Sequence, residues 1–401
     1  MSLRLSRRDF LKFSGAGAAM ALLGRFDTRL ARAFQPIERT QLVHLHTFHP
    51  DDTPAVEAVR AAALAATDFS WLQEGDSVFV KVACNSPRRP PAVTSPDAVT
   101  GMVRLLQEMG AGTVYVGDMS GAFYVRHLAE NGFGSTRESM RANGLLAAAE
   151  EAGATIHCFE EVPFAEAFIP GVPNVENHHW GEDLQVAAIV DEVDHIVNLP
   201  RLGKHCLAGV TLGLKNGVGW ISDHSRMVLH RDAVTFHEKI AEINAIPLLV
   251  EKTRLTLTLV DQALTTNGPD NGYVLPLVQP LVIAAENVVC HDQVALLAML
   301  WARRQIPQTA RDADAYPAQS SSSNWYFVRT TWGEEASTLP TFTNLAASDA
   351  ATHINYAFTI LLGGRPDRIE IVPGGLELDR VLAEMLVADP ELNLAIRAAS
   401  M

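Results

Sequence analysis

The 401-residue chain has only four cysteines, Cys84, Cys158, Cys206 and Cys290, and no C-x-x-C pair. Zinc ribbons and ferredoxin-type cluster loops need such pairs, so both are excluded. Positive charge is also scarce. Lys and Arg number 32 against 46 Asp and Glu, for a formal net charge of −14. Nucleic acid and anionic membrane surfaces attract a Lys/Arg surplus, so neither is an expected general partner. A full G-x-G-x-x-G fingerprint is missing, which leaves a nicotinamide site poorly supported. No apolar run is long enough to span a bilayer. What the chain does have is 48% apolar residues. That rules out disorder for its bulk and suits one large α/β domain or two modest ones.

The first residues read as an address. Ser6-Arg7-Arg8-Asp9-Phe10-Leu11-Lys12 precedes a short apolar stretch, Phe13 to Leu23, and Ala31-Arg32-Ala33 offers a small-residue cleavage site. Basic start, short apolar run and small-residue site are the parts of an export signal. The Arg pair followed by Phe-Leu-Lys resembles the twin-arginine class, which exports folded proteins and so accommodates a cofactor loaded beforehand. Residues 1–33 are therefore expected to be a signal peptide and 34–401 an α/β domain, periplasmic or extracellular, with no transmembrane segment after cleavage. The translocase is then a transient partner. Removing the signal takes away seven basic and two acidic residues and leaves a body of charge −19. An oxidising compartment permits disulfides, but spacing does not say whether these cysteines pair.

The body alternates short apolar runs with helical patterns. Strands are expected at 41–47, 76–83, 112–116, 155–157, 185–190, 195–199, 256–260 and 281–285. Helices are expected at 54–66, 96–109 (with Ser95 as N-cap), 291–303 and 379–387. This alternation predicts a mainly parallel three-layer α/β sandwich, as one body or as two lobes with a cleft between them. Ligands would then gather where the strands end. The Ser- and Pro-rich stretch at about 310–342 reads as a surface excursion or lid.

The densest chemistry lies between Asn198 and Arg231. The run from 195 to 199 ends at Pro200 and is followed by Arg201, Lys204, His205, Thr211, Lys215, Asn216, Arg226 and His230. Thr211 and Lys215 stand four apart, which on a helix is one face. Four cations in an acidic body suit a carboxylate, phosphate or enolate-like anion. Imidazole serves acid–base chemistry and metals alike, so His205 and His230 are candidates for either, a divalent metal included. Lys81, inside an apolar run, needs an anion or a shifted pKa. Asn85 and the segment Gly117-Asp118-Met119-Ser120-Gly121 follow strand ends, where backbone amides could hold an anion. His44 and His46 alternate on one strand face, as a metal pair or an ordinary packed pair. Asn267 to Gly272 either lines the same edge or is simply a turn.

Taken together, Val80-Lys81 to Asn85, Gly117-Asp118 to Gly121, and Asn198-Leu-Pro-Arg201, His205, Gly209-Val-Thr-Leu-Gly-Leu-Lys215-Asn216 resemble the domain of unknown function 362 family. Asp261, Gly268-Pro269, Gly272 and the Ala284 to Asp292 stretch fit too, so the resemblance covers about 78–300. The family often carries Lys two residues before the His, where this chain has Gly203. Some members carry ferredoxin-like clusters, and this chain has no such motif. The general look is also similar to the nickel-pincer lactate racemases, in which Lys and His converge. The resulting expectation is a periplasmic enzyme of isomerase or oxidoreductase type, acting on a small anionic metabolite with metal or cofactor assistance. His205, Lys215 and His230 would be catalytic, and Lys81, Asn85, Asp118, Arg201, Lys204, Thr211 and Asn216 would bind substrate. The alternative is a non-catalytic anion-binding protein or an accessory protein of a redox complex.

Overall fold

In the computed structural model, residues 40–314, 330, 332, 352–387 and 394–397 are described. The signal segment and most of the 310–342 stretch lie outside them. Residues 310–314 belong to a helix, Gln308–Asp314.

Among the described residues thirteen strands follow in chain order: β1 Thr40–Thr47, β2 Ser77–Val82, β3 Thr113–Asp118, β4 Thr155–Cys158, β5 Phe168–Pro170, β6 Gln185–Ala187, β7 His195–Leu199, β8 Gly203–His205, β9 Gly209–Thr211, β10 Thr253–Leu264, β11 Val274–Ala285, β12 Arg368–Gly375 and β13 Leu394–Ile396. The main sheet runs β13-β12-β1-β11-β10-β7-β2-β3-β4, with β8 and β9 branching from β10. Its pairings are parallel except at β11, which runs against both β1 and β10, and at β8 with β9. The mainly parallel α/β sandwich expected from the alternation is what the chain adopts.

Period two along β2 explains the layers. Val78, Val80 and Val82 join a core beneath the helices Ala55–Ala66, Pro96–Glu108 and Leu145–Glu151. Phe79 and Lys81 face the other way, Phe79 into a second core with Trp180, Trp220 and Phe236. Further along that face, Val43, Leu45 and Ile283 pack on the helix Val288–Gln305. That helix is apolar on nearly every side and is buried from Val289 to Arg303. The Asn287 side chain caps it by accepting from Val289 and Cys290 N–H, and Arg303 and Arg304 sit in its last turn, where the dipole favours cations.

Several expected elements differ. The 185–190 run is a strand only to Ala187 and pairs with β5 in a separate small sheet; 189–192 turns helical. Gly117 and Asp118 end β3 rather than forming a turn. Ser95 stands at the N-cap of its helix, but its side chain makes no capping bond. Thr211 ends β9, and Lys215 lies in a one-turn helix, Gly213–Asn216. The pair therefore shares no helical face, because the chain is still extended at Thr211. All four cysteines are buried and free.

Candidate active site

Three adjacent parallel strands deliver the site. Lys81 of β2 sits in register with Asn198 of β7 and Gly117 of β3. Just past these ends the chain lays down the helix Gly213–Asn216. Its first amides are held by a carboxylate from the neighbouring layer: Gly213 N–H and Leu214 N–H donate to Asp292 at 2.8 and 2.7 Å. Asn216 Nδ2 donates to Asn198 Oδ1 at 2.7 Å and to the Lys81 carbonyl at 3.3 Å. The one-turn helix is thus held at its start by Asp292 of the neighbouring helix and at its end by the strand edge.

Lys81 is fully buried and pairs with Asp118 Oδ1 at 2.8 Å. It also donates to the Val82 carbonyl at 2.8 Å, and Cys84 N–H donates to Asp118 Oδ2 at 2.7 Å. Burial pulls the Lys81 amine downward, and the Asp118 charge opposes that shift. Gly219 passes directly over the pair: a Cβ there would lie 2.3 Å from Lys81 Nζ and 2.5 Å from Asp118 Oδ1. Lys204 is spent in a similar way, on Asp314 at 3.1 Å, which Arg303 also reaches at 2.7 Å. Lys81, Asp118 and Lys204 thus already have counter-charges inside the fold. Asn216 and Thr211 are likewise engaged inside, Thr211 Oγ1 accepting from Arg201 Nη2 at 3.3 Å.

Arg201 and Arg226 are cations without carboxylate partners among the described residues. Arg201 donates to the Pro91 carbonyl at 3.1 Å and to the Pro269 carbonyl, while its buried Nε has no partner. The Asn267–Gly272 loop thereby contacts Arg201 through Pro269. Gly203 permits this arrangement, since a Cβ there would meet Arg201 Nη1 at 2.2 Å. Burial lowers Arg201 to about 10. Arg226 donates to the carbonyls of Val218, Met119, Ser120 and Gly219. It ties the loop after β3 to the turn after Lys215.

Lys215 is 9% exposed, and its side-chain amine has no hydrogen bond or ion pair among the described residues. Burial lowers its amine to about 7, helped by the charges of Arg226 and Arg201. Lys215 in turn helps depress His205, His230, His237 and His353, for each of which burial is the largest cause. His230 falls to about 4, so it is neutral near pH 7.

The two named imidazoles hold opposite tautomers. His205 Nδ1 accepts from Leu207 and Ala208 N–H at 3.1 and 3.2 Å, so in the neutral ring the proton is on Nε2. His230 Nδ1 lies 2.7 Å from the Arg226 carbonyl, which can only accept, so its proton is on Nδ1 and Nε2 carries the lone pair. His205 thus offers an N–H and His230 offers a base. A metal on His205 Nε2 does not fit that tautomer; His230 Nε2 retains the right donor form. Among the described residues no group of three or more His, Cys, Asp or Glu is placed to hold a metal ion.

Asn85 is half-buried, and its carbonyl takes the Gly121 N–H. His44 and His46 lie half-buried on β1, with His46 packed beside Gly374 and Gly375. Two residues escaped the sequence reading, His237 and His353. Their Nδ1 atoms meet at 3.4 Å, and each Nε2 is buried without a partner. His237 follows His230 by seven residues, a faint signal that the interruption of the helix around Asp232 obscures. His353 lies 116 residues further on and had none.

With this geometry in place, comparison with known proteins identifies the class. The model of the family described as domain of unknown function (DUF362) matches residues 78–296. That is more than half of the chain, which belongs to this family. Residues 4–24 match the twin-arginine translocation signal, so the protein is exported by that route. Among the described residues no helix is long and apolar enough to cross a membrane. A thylakoid-associated protein of Synechocystis sp. is 25% identical over 210 residues, 51% of this chain and 57% of the relative. The chain thus matches little more than half the length of that relative. A Thermotoga maritima protein structure aligns over 86% of this chain and 90% of its own, at 14% identity and TM-score 0.39. The lactate racemase apoprotein of Thermoanaerobacterium thermosaccharolyticum aligns over 93% and 88%, at 12% identity and TM-score 0.38. Likenesses this distant say nothing about chemistry.

Proposed function

We propose that the exported protein is an enzyme acting on a small carboxylate, by proton transfer next to that carboxylate. The observation that carries this reading is Lys215, whose amine is buried and unpartnered where the other buried cations among the described residues are paired or held by carbonyls. Nature rarely buries an amine without an anion, and an absent counter-charge is what a ligand would supply. Arg201, with an unpartnered buried Nε, and Arg226 add positive potential for the same anion. His230 supplies a neutral base and His205 an N–H donor, the combination general acid–base chemistry needs. A metal is the alternative use of the same lone pair: His230 Nε2 would then be a ligand instead of a base.

A thermal-shift screen of the mature chain against small carboxylates and phosphate tests the reading, followed by turnover assays on the compounds that stabilise. The expected result is a rise in Tm with carboxylates, strongly reduced by Lys215→Ala and His205→Ala, and conversion of at least one of them. Stabilisation without conversion identifies a non-catalytic anion-binding protein instead. A shift that both variants leave unchanged places the site elsewhere.

A further inference from the structure

We propose that Lys215 is a covalent group, whose amine condenses with the ketone of a 2-oxo carboxylate to form an imine. The inference rests on the carboxylate reading above and narrows it to one substrate class. Three observations converge. Lys215 has no hydrogen bond or ion pair to hold its nitrogen lone pair or its protons, and it keeps a residual 9% exposure. Its one-turn helix is fixed by Asp292 and Asn198, so the amine departs from a rigid base. Arg201, Arg226, His205 and His230 lie close enough that their charges couple to that of Lys215, and the hydrogen bonds of the two imidazoles leave one with an N–H and the other with a lone pair to offer.

The chemistry assigns each of them. A 2-oxo carboxylate places its carboxylate on the unpartnered Nε–H side of Arg201, which remains charged at about 10. The Lys215 nitrogen attacks the ketone carbon, the C–N bond forms, and the carbonyl π electrons move to oxygen. His205 Nε2–H donates a hydrogen bond to that oxyanion. The attacking nitrogen then releases a proton to the Nε2 lone pair of His230, which passes it to the oxygen. The second nitrogen proton follows the same route as the C–O bond breaks. Water leaves, the nitrogen lone pair completes the C=N bond, and both imidazoles return to their starting tautomers. No oxidant or reductant is consumed. Only a neutral amine can attack, and burial beside Arg226 and Arg201 keeps a substantial share of Lys215 neutral near pH 7. The imine next to a carboxylate acidifies the adjacent C–H, which is the proton His230 would then move.

The test uses the mature chain with pyruvate as probe and sodium cyanoborohydride as trap, read by peptide mass spectrometry. The expected result is a carboxyethyl group on the peptide carrying Lys215, at least tenfold above that on exposed lysines. Acetate or lactate, which lack the ketone, should leave no adduct but should still raise Tm. Labelling should fall off below about pH 6, as the amine protonates. Because wild-type protein reports the labelled residue directly, the test does not depend on any variant folding. Adducts spread evenly over surface lysines, with Lys215 unlabelled, overturn the imine. If carboxylates still stabilise the protein in that case, the carboxylate reading survives; if they do not, both readings fall.

Discussion

Replacing Asp118 by Asn is expected to destabilise the protein by roughly 3–5 kcal/mol at pH 7, the usual cost of stranding a buried charge. The substitution preserves shape and leaves an oxygen for the Cys84 N–H, but it removes the charge 2.8 Å from fully buried Lys81. The amine then keeps only carbonyl and amide acceptors, chiefly Val82 O at 2.8 Å. Its folded pKa drops further below the ordinary 10.5. Between the two values the unfolded chain binds a proton that the folded chain does not, so stability falls as pH falls through that window. The loss should therefore be large at pH 7 and shrink toward pH 10. Adding Lys81→Met to the same protein should restore more than half of it. Urea unfolding of the two singles and the double measures this as a cycle. A single substitution costing under about 1 kcal/mol, within the range of exposed pairs, would show that Lys81 is not the buried charge described.

Lys215→Met is expected to do the opposite. Lys215 has no partner to strand, and its folded value near 7 lies well below the unfolded one. The sign follows from proton counting: below 10.5 the unfolded chain takes up a proton that the folded chain resists. The penalty grows as pH falls and is complete once both forms are charged, below about 7. Met has similar length and no charge, so the variant should be more stable by roughly 2–5 kcal/mol at pH 6. The gain should vanish near pH 10. The same variant should lose stabilisation by carboxylates. A residue whose removal strengthens the fold and abolishes binding is held in place for function, the trade expected at active sites. A Lys215→Met protein that is less stable at every pH would mean that the amine serves the fold.

Much of this was legible in the chain. Period two around Lys81 and the apolar run 195–199 located the strands whose ends carry the candidate site, because buried parallel strands leave few readings open. The concentration of cations after Pro200 marked the neighbourhood of His205, Lys215 and His230. What sequence did not reveal was which cations were already spent. Lys204 finds Asp314 110 residues away, and Lys81 finds Asp118 only once β2 and β3 pair. Nor does spacing disclose that Thr211 stays extended, since the turn into the helix Gly213–Asn216 depends on Asp292 from another layer. The tautomers of His205 and His230 are set by backbone groups nearby, the Leu207 and Ala208 amides and the Arg226 carbonyl. Those are local in sequence, but only the folded turn aims them at the rings.

The central claim is that Lys215 waits, uncharged for part of the time, for an anion. NMR titration of protein carrying 13C-labelled lysine ε-methylene groups tests it most directly, with Lys215 assigned by its absence in Lys215→Met. The account predicts a midpoint near pH 7 that moves upward when a non-ketonic carboxylate such as acetate is added. A midpoint near 10.5, unmoved by acetate, would contradict it.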